Sequence, residues 1–95
     1  MLKSCGDLVV EINYACRAAA ESRSVLGAQG ARIALGDIRA YVKFNEAALR
    51  KGGTEVDDLY RFLNEAELAA ELRENALRRG TPEQATLRRE AGYER

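Results

Sequence analysis

The four residues Lys51-Gly52-Gly53-Thr54 interrupt a chain that is otherwise written for helices. Paired glycines end a helix cheaply because they enter the left-handed backbone region without a Cβ penalty. A connection this short makes the flanking helices antiparallel neighbours. Thr54 is placed to cap the second helix, with Asp57 three residues on. Glu55, Asp57 and Asp58 set negative charge against the positive end of its dipole. The spacing predicts a helix over about 55–79, ended by Arg78 and Arg79 with Gly80 in the C′ position. Before the break, Ala31, Leu35, Ile38, Val42 and Leu49 recur three, four or seven residues apart and predict a helix over about 31–51.

The two ends of the chain carry weaker signals. Thr81-Pro82-Glu83-Gln84 offers an N-cap, a proline at the first helical position and a glutamine at the third, which predicts a short last helix. Near the start, Leu8, Ile12, Ala15, Ala19 and Leu26 have helical spacing. Leu8, Val10, Ile12 and Tyr14 also alternate, and valine and isoleucine favour strands. Residues 15–24 therefore read as helix, while 7–14 fit either helix or strand. Gly27-Ala28-Gln29-Gly30 reads as the turn that follows.

Charge supports the hairpin. Residues 1–53 carry a balance of +3 and residues 54–95 a balance of −3, so a basic helix is expected beside an acidic one. The whole chain is neutral, with 15 basic and 15 acidic side chains. That removes the long-range attraction on which non-specific nucleic-acid binding depends. Histidine is absent, which excludes a Ser-His-Asp triad, a Cys-His pair and the Glu-x-x-His motif of di-metal carboxylate bundles. Cys5 and Cys16 stand eleven positions apart. On one helix that is about 16 Å of rise, beyond the reach of a disulfide, and two cysteines cannot close a zinc site. Glu67, Glu71 and Glu74 have the spacing of an ordinary solvated helix face. No enzyme, cofactor or metal site is expected.

No segment has the ~18 consecutive apolar residues of a membrane span. The early apolar run Leu8-Val9-Val10 is too short for a secretory signal. Asp7, Glu11 and Glu21 are acids that an organellar transit peptide would avoid. The expected location is intracellular and reducing, in the cytoplasm or in an organelle matrix after import.

Two apolar faces occur where a lone hairpin needs one per helix. After Thr54 the main stripe is Val56, Leu59, Leu63, Ala66, Ala70 and Leu77, and Leu68 and Leu72 lie nearly opposite it. Before the glycines the main stripe is Ala31, Ala34, Leu35, Ile38, Val42 and Leu49, and Ile33, Ala40, Phe44 and Ala47 form a second. Either the first and last helices cover these second faces, or a protein partner does. The partner reading makes Leu68, Leu72, Ile33 and Phe44 the binding residues. Asn45 falls in heptad register between Val42 and Leu49. There it either fixes register and oligomeric state, as buried Asn does in coiled coils, or bonds to nearby backbone.

Two short motifs suggest families. Val25-Leu26-Gly27-Ala28-Gln29-Gly30-Ala31-Arg32-Ile33 resembles the core of K-homology RNA-binding domains, in which a GxxG loop between two helices clamps the nucleic-acid backbone. The resemblance spans residues 8–45. It implies strands at 8–12 and 41–44 and nucleic-acid contacts from Gly27, Gly30 and Arg32. Ala28 and Gln29 replace the Lys or Arg often found in that loop, and Gly36 stands where an apolar residue is expected. Leu59-Tyr60-Arg61 is similar to the tripeptide of mitochondrial LYR-motif assembly proteins, where it lies near the start of the bundle rather than beyond mid-chain. Arg78-Arg79 and Arg88-Arg89 read as solvated helix ends.

The expected fold is therefore all-α, one helical domain over 1–95. It is built on an antiparallel hairpin with an N-terminal helix and a short C-terminal helix, with an α+β, K-homology-like N-terminal half as the alternative. The expected function is a non-catalytic protein–protein interaction module, as a homo-oligomer or a small assembly subunit. The alternative is a nucleic-acid binder using Gly27–Gly30.

Overall fold

The computed structural model describes residues 1–80, which form four helices: α1 (Cys5–Glu21), α2 (Val25–Phe44), α3 (Glu46–Lys51) and α4 (Val56–Arg78). Helices α1, α2 and α4 pack pairwise into a three-helix bundle, and α3 is a short extension that brings the chain to the glycine turn. Among the described residues there is no strand. The short last helix expected from Thr81 onward, and Arg88-Arg89, lie outside the described residues.

Each helix start has a local cause. The Ser4 hydroxyl accepts the Asp7 N–H at 3.0 Å and starts α1. Residues 7–14 are helical because Leu8, Ile12, Ala15 and Ala19 are all buried on one face. Val10 and Tyr14, which completed the alternating pattern, stay exposed. Helix α2 begins six residues earlier than expected, because Ser24 caps it by accepting the Gly27 N–H at 3.0 Å. This overturns the reading of Gly27–Gly30 as a turn and, with it, the K-homology-like alternative. Gly27, Gly30 and Arg32 lie inside the first turns of α2, and residues 8–12 and 41–44 are helical. Ser22 and Ser24 make the real connection, Ser22 in extended backbone with its hydroxyl donating to the Ala18 carbonyl at 2.8 Å.

The predicted 31–51 helix is interrupted once. At Asn45 the backbone leaves the helical region, and its side-chain amide donates to the Tyr41 carbonyl at 2.9 Å. Of the two readings of Asn45, this is the bond to nearby backbone. The glycine turn closes as expected, with Gly53 at a φ of 92°. Thr54 does not cap α4, however. Its N–H is used to close α3 on the Leu49 carbonyl at 2.9 Å, and Glu55 occupies the N-cap with no side-chain bond. Asp57 turns instead to Arg50, at 2.9 Å. At the far end Gly80, with φ 86°, stops α4 as the sequence predicts.

The core keeps three- and four-residue intervals throughout: Leu8, Ile12, Ala15, Ala19; Ala28, Ala31, Leu35, Ile38, Val42; Val56, Leu59, Leu63, Ala66, Ala70. Arg73 donates twice to the Ser22 carbonyl, at 3.0 and 2.6 Å. Val9, Ile12 and Asn13 of α1 also share a small pocket with Phe62 of α4, so the two helices run parallel. Both bury large aliphatics first and alanines later: Leu8, Ile12, Ala15 and Ala19 in α1, and Leu59, Leu63, Ala66 and Ala70 in α4. Helix α2 runs antiparallel to both. The core is therefore graded, with branched aliphatics toward the glycine turn and alanines toward the Ser22 turn. The expected charge pairing is present between α2 and α4, as Arg32–Glu74 at 2.6 Å and Arg39–Glu67.

Candidate interaction surfaces

The four residues expected to bind a partner all lie outside the core. Leu68 and Leu72 are 57% and 58% exposed, Ile33 67% and Phe44 90%. The first helix does not cover them, since α1 packs on the inward flanks of α2 and α4. Leu68 and Leu72 sit one turn apart on the outer face of α4. Ile33 lies in a shallow hollow with Gln29, Arg32, Glu67 and Glu71, the last two being chain neighbours of Leu68 and Leu72. The hollow is lined by Ile33 but by neither leucine. Phe44 does not join it, because it stands at the opposite end of α2, eleven residues or about 16 Å from Ile33.

Glu74 departs from expectation. It has the spacing of a solvated face but is only 4% exposed. Its carboxylate accepts from Arg32 Nη1 at 2.6 Å, from Arg78 Nη2 at 2.7 Å and from Gln29 Nε2 at 3.3 Å. The Arg32 bond, then the Arg78 bond, hold its pKa down to about 2. This cluster closes the alanine end of the bundle, where the core is too narrow to need another large apolar residue. The signal for it was available: the run 56-59-63-66-70 continues in register to 73 and 74, which are Arg and Glu. Arg32, a nucleic-acid residue in the K-homology-like alternative, is occupied here.

A second surface was not anticipated. Helices α1 and α2 leave between them a groove of about 670 Å³, lined by Val10, Tyr14 and Ala18 on one side and by Gly30, Ala34 and Tyr41 on the other. Ala34, expected on the main stripe of its helix, is exposed on this wall. Small side chains keep the floor low.

The remaining motif residues do structural work. Leu59 is fully buried, the Tyr60 hydroxyl donates to Glu46 Oε1 at 2.6 Å, and Arg61 pairs with Asp58 at 2.7 Å. The Glu46 bond, with burial behind it, raises the Tyr60 pKa. Arg78 is bound to Glu74. Cys5 is exposed, Cys16 is half-buried, and both are free thiols. Among the described residues no cluster of Cys, Asp or Glu has the arrangement of a metal site, and no helix is long and apolar enough to cross a membrane. No protein-family model, curated protein or solved structure matches the chain.

Proposed function

We propose that the chain is a non-catalytic helical interaction module that docks a protein partner on the outer face of α4, as a homo-oligomer or as a small subunit of a larger complex. The observation that carries this reading is the pair Leu68 and Leu72. Both are more than half exposed, while Leu59, Leu63, Ala66 and Ala70 supply the buried face of the same helix among the described residues. Contiguous exposed apolar residues rimmed by charge mark interaction surfaces. Leucines at i and i+4 suit an amphipathic helix that brings its own apolar stripe, and Glu71, beside Leu72 and in no ion pair among the described residues, suits one basic residue flanking that stripe. The reading also rests on the chemistry expected from the sequence, which has no histidine and no catalytic constellation.

The double variant Leu68→Lys, Leu72→Lys tests it. Surface changes of this kind shift stability by about 0.5 kcal/mol each. The variant should keep its helical signal and melting temperature but lose the complex formed on the α4 face, as read by cross-linking from positions on α4, while any species assembled through other faces is retained. An unfolded variant would show that the leucines belong to the core, and an unchanged complex would remove α4 as the docking face.

A further inference from the structure

We propose that the outer face of α1, with the adjoining α1/α2 groove, forms a two-fold interface with a second copy of this chain, the two α1 helices lying antiparallel. The inference is independent of the α4 face and uses different residues. Asp7, Val10, Tyr14 and Arg17 are spaced three, four and three apart, which puts them on one face of α1. All four are exposed, Val10 and Tyr14 by 66% and 77%. Among the described residues neither Asp7 nor Arg17 belongs to an ion pair. The neighbouring Glu11 is already held by Lys3 at 2.9 Å.

The order of these residues selects a partner. Asp7 and Arg17, and likewise Val10 and Tyr14, lie symmetrically about position 12. A second copy of the same helix, laid antiparallel about that point, sets Asp7 against Arg17 of the second copy and Val10 against its Tyr14, with both contacts repeated by the two-fold axis. A parallel arrangement would oppose Asp7 to Asp7 and Arg17 to Arg17. An antiparallel arrangement centred on Tyr14 would oppose Asp7 to Glu21. Of these three, the first alone opposes Asp7 to Arg17 without setting like charges of α1 against each other. The groove supplies the room: Ala18, Gly30 and Ala34 carry little or no side chain, so the exposed Tyr14 ring of one copy has apolar surface to fill on the other.

Sedimentation equilibrium of the described bundle in its full chain, from about 1 µM to 1 mM, covers the affinity range of small interfaces. The wild type should dimerise within that range and dissociate more readily at high salt, because exposed charge pairs are screened. Asp7→Arg or Arg17→Asp alone places like charges together at both symmetric contacts and should weaken the dimer about tenfold. The double exchange Asp7→Arg, Arg17→Asp restores opposite charges and should return most of that loss. Tyr14→Glu, which leaves the start of α1 untouched, should abolish the dimer while the far-UV circular dichroism stays that of the wild type. Leu68→Lys, Leu72→Lys should leave this dimer intact. A wild type that stays monomeric throughout, a double exchange no tighter than either single, or a dimer lost on changing Leu68 and Leu72 but not Tyr14 would each overturn the proposal.

Discussion

Leu63 and Leu68 are the same residue type on the same helix, five positions apart, and the structure assigns them opposite energetic roles. Leu63 is fully buried, and Leu68 keeps more than half its surface in water. Replacing Leu63 by Ala removes three carbon groups worth ~0.8 kcal/mol each, or ~2.4 kcal/mol of transfer energy. The cavity left between α1 and α2 adds to this and places the total in the range of about 3–4 kcal/mol. For Leu68→Ala less than half of the transfer term applies and no cavity forms, so the loss is about 1 kcal/mol or less. A chain of this length has a total stability of about 5–14 kcal/mol. Leu63→Ala should therefore lower the melting temperature by about 15–25 °C, against a few degrees for Leu68→Ala. Guanidinium unfolding followed by circular dichroism at one low protein concentration measures both, free of mass-action effects from association. Equal losses for the two variants would mean that Leu68 is covered within the monomer. The reasoning about the α4 face would then fail.

Other expectations follow from the same geometry. Ala66→Leu adds apolar area at a position that is only 4% exposed in the core and should nevertheless destabilise by about 1–3 kcal/mol through overpacking; a gain in denaturation midpoint would refute the close packing there. Glu74 has a folded pKa depressed to about 2, below its ordinary 4.5. Its contribution to stability is thus complete above about pH 4.5 and disappears as pH falls toward 2, and Glu74→Gln should flatten that part of the acid-stability profile. Gly36→Ala meets nothing within 4 Å in a helical segment and should stabilise by about 0.5–1 kcal/mol. Gly53→Ala, at a φ of +92°, should destabilise by about 1 kcal/mol or more. Thermal melts of the pair distinguish helix from turn at those two sites.

Much of the fold was legible because helix formation and helix ends depend on residues a few positions apart. The 3–4 spacing of the core stripes, the Gly52-Gly53 reversal and the Gly80 stop are all local, and each stands where the sequence puts it. Leu68, Leu72, Ile33 and Phe44 were also recognisable as surplus to one apolar face per helix, since that judgement needs only the helical wheel. The misreadings arose where two local signals competed. Gly27 and Gly30 looked like a turn, yet Ser24 two residues after Ser22 is a stronger start signal, and a glycine tolerates a helix when a cap and a packed alanine face hold it there. At Thr54 the backbone N–H closes α3 on the Leu49 carbonyl, and the N-cap of α4 falls one residue later, at Glu55.

What the sequence by itself determined, then, is the helical character of most of residues 15–24 and 31–79 and the apolar side of those helices, because these follow from short-range geometry. Which helix lies beside which, and in what register, required the tertiary structure. Helices α1 and α4 each grade from branched aliphatics to alanines, and that shared gradient becomes one core only once both run parallel on α2. The same assembly turned Glu74 from one carboxylate among several on a wet face into a buried, doubly arginine-bound group. It also opened the alanine-floored groove beside Tyr14. The 56-59-63-66-70 register marks position 74 as inward-facing, but the groups that satisfy its carboxylate, Arg32 and Gln29, arrive from more than forty residues away and are not legible in the sequence around it.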